Sequence, residues 1–339
     1  MSRGVAVPRR EAERVRRLLR EAGWIDGGLE VARTPDVVLF PLLDGARPDP
    51  TLGTIVDHPF QRVRGRPREY AELLTDLPAE VRAALPRAFD LVGDIVLVRL
   101  PPPVAPWADR VGAALLEFVP GARVVGWDRG VHGPERRRSV HRIAGSGGWT
   151  TRHRENGIAL DVDVERAYFS PRLAGEHRRV ASLVRPGERF LDLACGVGPF
   201  ALLAARPGRA AAVVGVDHNS AAIALAKGNA ERLGLGGRVE FVEADLQAFV
   251  AAGARFDRVV FNLPLEGIKY LTSVIGAVER GGTLLYYEMT DRSREATRST
   301  ELAALVGAEG AFRVDPPRVV HPYAPSIDLV AYTLRREGP

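Results

Sequence analysis

Several short stretches of this chain combine residue types that can do chemistry at spacings that let them act together. In "YFSPRLAGEHRR", residues 168–179, Arg172 and Glu176 lie four apart behind a proline, so a helix starting at Pro171 would carry both on one face. Ser170 suits the cap of that helix and Pro171 its first position. A carboxylate there could take a proton from an acceptor, a step that typically contributes about a hundred- to ten-thousand-fold in rate. An arginine beside it could stabilise negative charge growing on the acceptor. The same spacing also makes an ordinary helical ion pair, so the surroundings must decide.

The next stretch, "RFLDLACGVGPFALLAA", reads as a buried strand, a turn through Gly196 and Gly198, and a helix. Glycines let such a turn bring its backbone close to a ligand, and helix amides favour negative charge. Asp192 sits in the strand end before the loop. "AAVVGVDHNSAAIALAKGN" follows as a strand ending in Asp217, placed for ribose hydroxyls, and "VEFVEADLQAF" supplies Asp245, placed for an adenine amino group. Singly, each aspartate could be a turn residue; together and in this order they describe a nucleoside site. Cys195 has no assignable histidine partner and is expected to be a small buried filler. "FDRVVFNLPLEGIKYL" ends a further strand in Asn262-Leu263-Pro264, where proline stops the ladder and turns backbone groups toward a pocket.

These residues need a scaffold that brings strand ends together. From about Tyr168 onward the chain alternates strand and helix, which predicts a parallel, doubly wound α/β sheet with ligands at its carboxyl edge. Residues 65–160 read as a smaller mixed α/β domain, with strand-like runs in "FDLVGDIVLVRLP", "ARVVGW", "RRSVHRIAG" and "GIALDVDV". Residues 1–50 read as a small domain containing a helix, with Val15, Leu18, Leu19 and Ala22 on one side, then the strand "DVVLFPLL". "DGARPDPTLG" reads as a linker, and the catalytic domain is expected over 161–339. The first twenty residues hold seven arginines against two glutamates, either a solvated face or a surface for a polyanion.

Composition excludes several classes. Hydrophobic residues make up 46% and charged residues 26% of 339, ordinary for a globular protein. A single cysteine rules out an intramolecular disulfide and a cysteine-rich zinc cluster. No run reaches membrane-span length and no signal-peptide core is evident. Cytoplasmic localisation is therefore the default expectation, with no membrane partner. No histidine–carboxylate cluster suggests a metal, and no heptad pattern suggests anything but a monomer. The net charge of +5 is compatible with a nucleic-acid partner.

Taken together, the loop and its three aspartates resemble the S-adenosylmethionine site of class I methyltransferases. Methyltransferases acting on exocyclic amines often carry a proline pair and an aromatic at this position; the aromatic is missing here, which points to another acceptor. The chain as a whole is similar to the archaeal and eukaryotic type of tRNA (guanine(37)-N(1))-methyltransferase. The match runs through "VPRREAERVRRLLREAGW", "FDLVGDIVLVRLP", "RENGIALDVDVERAYFSPRLAGEHRR", "DLACGVGPF", "FNLP" and "HPYAP". By this resemblance the cofactor would meet Tyr168, Asp192, Ala194, Gly196, Gly198, Pro199, Phe200, Asp217, His218, Asp245, Leu246 and Asn262. Glu176 would be the general base and Asn262 would help hold the guanine. Arg136 would stabilise the guanine oxygen, or Arg138 if the register slips by two. Arg138, Arg172, His177 and Pro264 would contact the substrate, and tRNA would be the partner.

Some positions depart from the family pattern. His177 stands where a second arginine is frequent, and "GVDHNSAA" has serine where proline is common. Two relatives of the same fold compete with the methyltransferase: an aminocarboxypropyl transferase on a wybutosine precursor, and a small-molecule methyl or aminocarboxypropyl transferase. A catalytically silent RNA-binding protein is the rival of another class. The presence of Arg172 and Pro199 disfavours the first, the basic N-terminal segment the second, and Glu176 with the cofactor loop the third.

Overall fold

The computed structural model describes residues 1–62, 67–132, 137–307 and 312–338. The chain divides into two compact units, Met1–Arg68 and Glu69–Pro339.

In the first unit, four antiparallel strands lie in the order Ala32–Arg33, Val37–Pro41, Ser2–Pro8, Thr54–His58. Val5 and Val7 alternate inward from Ser2–Pro8, as the two-residue period of a strand requires. The helix Ala12–Glu21 packs Val15 and Leu19, one turn apart, onto the same core as Phe40. Arg14, Arg16, Arg17 and Arg20 face solvent. Of the helix face predicted from sequence, Val15 and Leu19 are buried, whereas Ala22 is exposed. The segment expected to be a linker instead turns through Pro50–Leu52 into the strand Thr54–His58, which continues this sheet beyond residue 50.

The second unit begins with strands Asp90–Val92, Ile95–Val98, Val124–His132 and Arg137–Gly145, adjacent in that order. The central pair is parallel, so the chain must cross over between them, which it does through helix Ala108–Phe118. That helix lies close to its sheet at Gly112, where a Cβ would stand 2.5 Å from the Ile143 carbonyl oxygen. The hairpin Thr150–Glu155 and Ile158–Asp163 turns at Asn156-Gly157, both at positive φ, the conformation Asn-Gly turns favour. Ile158, Leu160 and Val162 then alternate into the core of the large sheet.

The large sheet runs Val239–Glu243, Ala212–Asp217, Arg189–Leu193, Phe256–Phe261, Val278–Asp291, Ile327–Arg336, Phe312–Val314. The first five are parallel, as the alternating pattern predicts. Ile327–Arg336 inserts antiparallel to its neighbours, and Arg318–Ala324 also pairs with it. Strand order reverses between Arg189–Leu193 and Phe256–Phe261. At such a switch point the flanking connections leave in opposite directions and open a crevice at the strand ends.

Candidate active site

The glycine turn after Arg189–Leu193 is built by backbone conformation. Ala194, Gly196 and Gly198 have φ of 59°, 55° and 84°, in the left-handed region that favours glycine. A Cβ on Gly198 would come within 2.6 Å of the buried Phe241 ring. Asp217, ending the neighbouring strand, accepts from the Gly196 amide at 2.8 Å and the Asn219 amide at 2.9 Å. Its carboxylate therefore holds the turn in place while lining the cavity. Asn219 caps the helix Ser220–Arg232, accepting from the Ala221 and Ala222 amides. Asp245 accepts from the Gln247 and Ala248 amides and caps Leu246–Ala251, so the turn role and a place in the cavity wall coexist.

These elements enclose a cavity of about 240 Å³. Of the predicted cofactor residues, Tyr168, Ala194, Gly196, Pro199, Phe200, Asp217, His218, Asp245, Leu246 and Asn262 line it. Asp192 and Gly198 do not. Asp192 is fully buried behind the turn, where Oδ2 accepts from the Ala201 amide at 3.2 Å and Oδ1 has no partner among the described residues. Burial, with a smaller contribution from the charge on Asp217, pushes its carboxyl well above the usual range. Gly198 acts through the shape of the turn. Cys195 is buried with its thiol pushed up by burial, consistent with a filler and not a nucleophile.

A second cavity, of about 910 Å³, opens between the large sheet and the smaller one. Tyr168, Ser170, Leu173 and Asn262 line both cavities and form their common wall. Arg138, Arg172 and Pro264, predicted to meet the substrate, line the second. Asn262 and Pro264 reach it because the strand Phe256–Phe261 stops before them; the Pro264 carbonyl accepts from the Met289 amide at 3.0 Å. Arg136 lies outside the described residues.

The predicted Arg172–Glu176 helical pair is not formed. Ser170 makes no side-chain cap; Pro171–Leu173 is a tight 3-10 turn, and the α-helix Ala174–Leu183 begins after it. Arg172 bonds Asp90 of the smaller sheet at 2.7 Å. Glu176 is 4% exposed and lines neither cavity. Its carboxylate receives Tyr287 Oη at 2.6 Å, Arg179 at 2.7 and 2.9 Å, and Arg318. Burial alone would raise its pKa, but the bonds from Arg179 and Tyr287 and the charges of Arg179 and Arg318 hold it below the ordinary value. His177 is also buried. Its Nδ1 lies 2.6 Å from Glu155 Oε1 and its ring edge meets Phe200, so it lines the cofactor cavity and not the acceptor cavity expected for a substrate contact.

Several residues at the site are not singled out by any motif in the sequence. Tyr287 lies in a long buried strand with no motif to single it out. Arg318 precedes "HPYAP" and Tyr323 lies within it, while Asn219 sits in the cap signature "DHNS". Asp128 and Arg99 carry no local signal.

The strand order, the glycine turn and the cavity behind Asp217 define a class I S-adenosylmethionine-dependent methyltransferase. Similar proteins point the same way. Residues 151–306 match the TRM5/TYW2 methyltransferase domain, 70–148 the TYW2 N-terminal domain and 4–49 the tRNA methyltransferase 5 N-terminal domain. The chain is 33% identical to tRNA (guanine(37)-N(1))-methyltransferase Trm5b of Pyrococcus abyssi, covering 99% of each chain. The crystal structure of that Trm5b superposes with a TM-score of 0.71 at 31% identity, again over 99% of each. A complex of aTrm5 with tRNALeu shares the fold, with TM-score 0.75 at 24% identity over 98% of this chain and 99% of that one. A Pyrococcus horikoshii tRNA(Phe) (4-demethylwyosine(37)-C(7)) aminocarboxypropyltransferase is 25% identical over 66% of this chain and 79% of its own. The chain belongs to the archaeal and eukaryotic type of the tRNA (guanine(37)-N(1))-methyltransferase family.

Proposed function

We propose that the chain methylates ring nitrogen 1 of the guanine at position 37 of tRNA, as a single chain in the cytoplasm, with Glu176 as general base. The observation that carries this is the common wall: Tyr168, Ser170, Leu173 and Asn262 separate a nucleoside-sized cavity from a larger one lined by arginines and aromatics. A guanine must be unstacked to reach such a cavity, and phosphate contacts suit the exposed arginines of helix Ala12–Glu21.

S-adenosylmethionine fits the smaller cavity and supplies an electrophilic methyl on its sulfonium. Asp217 and Asp245 would meet its ribose and adenine, and the glycine turn lets the backbone approach it closely. Asn262 borders both cavities and would orient the guanine against Pro264. Arg138 lines the acceptor cavity and would stabilise charge on the guanine oxygen. Glu176 would take the ring proton. In the structure its carboxylate is engaged by Tyr287, Arg179 and Arg318, and of these Arg318 is the half-exposed partner. Glu176 lines neither cavity, so taking the proton would require Arg318 to leave its carboxylate.

The test is incubation of the protein with labelled S-adenosylmethionine and an unmodified tRNA transcript, followed by identification of the modified nucleoside. A methyl label on nitrogen 1 of guanine 37 is expected. Transfer of the carboxypropyl label would favour the aminocarboxypropyl reading, which the match to the TYW2 N-terminal domain keeps in view. An unlabelled RNA would overturn both.

A further inference from the structure

We propose that Asp128 is a positioning residue for methyl transfer, acting through Arg138; the inference rests on the acceptor role of the larger cavity. Asp128 lies in Val124–His132, where the register with Arg137–Gly145 shifts between Asp128 and Val131. Gly130 there takes φ 101°. A bulge of this kind bends a strand and re-aims its side chains. Here it turns Asp128 to the cavity wall, where the residue is 6% exposed.

Three donors converge on its carboxylate. Arg138 Nη1 lies at 2.6 Å, Arg99 Nε at 3.3 Å and the Gly130 amide at 2.9 Å. Arg138 is itself buried, donates to the Phe169 carbonyl at 3.3 Å and lies 6.0 Å from the Tyr168 ring centroid. Tyr168 belongs to the wall between the cavities. Asp128 thus fixes one guanidinium beside the place where donor and acceptor meet. Two arginines against one aspartate leave this cluster with a net positive charge.

That charge has a use in the proposed reaction. When the proton on guanine nitrogen 1 passes to the base, negative charge builds on the exocyclic oxygen; nitrogen 1 would then take the methyl as the methyl–sulfur bond breaks, with that electron pair returning to sulfur and S-adenosylhomocysteine leaving. A cation already held in place stabilises the charge on the oxygen without reorganising. Without Asp128, Arg138 would remain buried with its charge uncompensated and only the Phe169 carbonyl to orient it.

The experiment is single-turnover methylation by the full chain, with saturating S-adenosylmethionine and an unmodified tRNA transcript. The variants are Asp128→Asn, Asp128→Glu, Arg138→Met and the double Asp128→Asn/Arg138→Met. Asp128→Asn is expected to lower the saturated rate by about 10- to 100-fold, with half-saturating tRNA and cofactor affinity changed by less than about 3-fold. Asp128→Glu should recover part of the rate. The double variant should be no slower than Arg138→Met alone, because the two act as a unit. Full activity in Asp128→Asn, losses that multiply in the double variant, or a loss confined to tRNA affinity would each overturn the proposal. Should Asp128→Asn fail to fold, the double variant, which leaves no unpaired Arg138, decides by the same comparison. An inactive wild type would sink the acceptor reading together with this inference; an active wild type and an unimpaired Asp128→Asn would sink the inference alone.

Discussion

Glu176 concentrates the physics of the site in one side chain. Its spacing from Arg172 suggests a base with a helical partner, and the structure pairs it instead with Tyr287, Arg179 and Arg318. Those partners come from the following helical turn and from two distant strands, which local spacing does not reveal. Glu176→Gln is expected to slow single-turnover methylation by about 100- to 10,000-fold and to leave cofactor affinity, measured by calorimetry, nearly unchanged. The stability effect has a definite sign. The folded pKa lies below the unfolded one, so the contribution of the carboxylate is complete above the unfolded value and is lost as pH falls through the folded one. The melting-temperature gap between wild type and Glu176→Gln should be constant above about pH 5 and shrink below about pH 4. A gap that widens toward acid would contradict the ionised cluster.

Among the elements, the glycine turn is the most legible, because its chemistry is local. Positive φ, a following proline at the first helical position and an aspartate at the next strand end are all written within residues 192–217. Its two glycines nevertheless differ. A Cβ at Gly198 would strike the buried Phe241 ring, and φ 84° adds backbone strain. Gly198→Ala should therefore lower the unfolding free energy by about 1–3 kcal/mol, measured by denaturant titration. Asp217 holds the turn by two amide bonds and also lines the cavity. Asp217→Ala should weaken S-adenosylmethionine binding by about 10-fold or more, since each bond to a charged acceptor contributes about 1.5–3 kcal/mol. Titration calorimetry checks this, and unchanged affinity would remove Asp217 from the cofactor site. The helix after "SP" is less legible: the motif marks a helix start correctly, but the first turn is 3-10, which rotates Arg172 away from Glu176.

For the whole molecule, the division at Arg68 has a consequence for binding. Every residue lining the two cavities lies between Pro86 and Leu329, within the unit Glu69–Pro339. Removing Met1–Arg68 should leave S-adenosylmethionine affinity unchanged but weaken tRNA binding and flatten its dependence on salt, by about one unit of slope for each phosphate no longer neutralised. Filter binding at several salt concentrations measures both, and an unchanged slope would return the arginines of Ala12–Glu21 to the role of a solvated face. The sequence by itself determined the alternating order of the large sheet, the glycine turn and the aspartates at the strand ends, because periodicity and turn chemistry are properties of neighbouring residues. Only the tertiary structure decided that Asp192 is withdrawn behind the turn, that Thr54–His58 joins the first sheet, that Glu176 is clasped by Tyr287 and Arg318, and that Asp128 grips Arg138. Thr54–His58 and the partners of Glu176 come together only when strands distant in sequence pair or pack; Asp192 and Asp128 bond groups nine and ten residues away, but burial and the bulged register choose those donors, and a carboxylate takes whichever donors the packed chain leaves within reach.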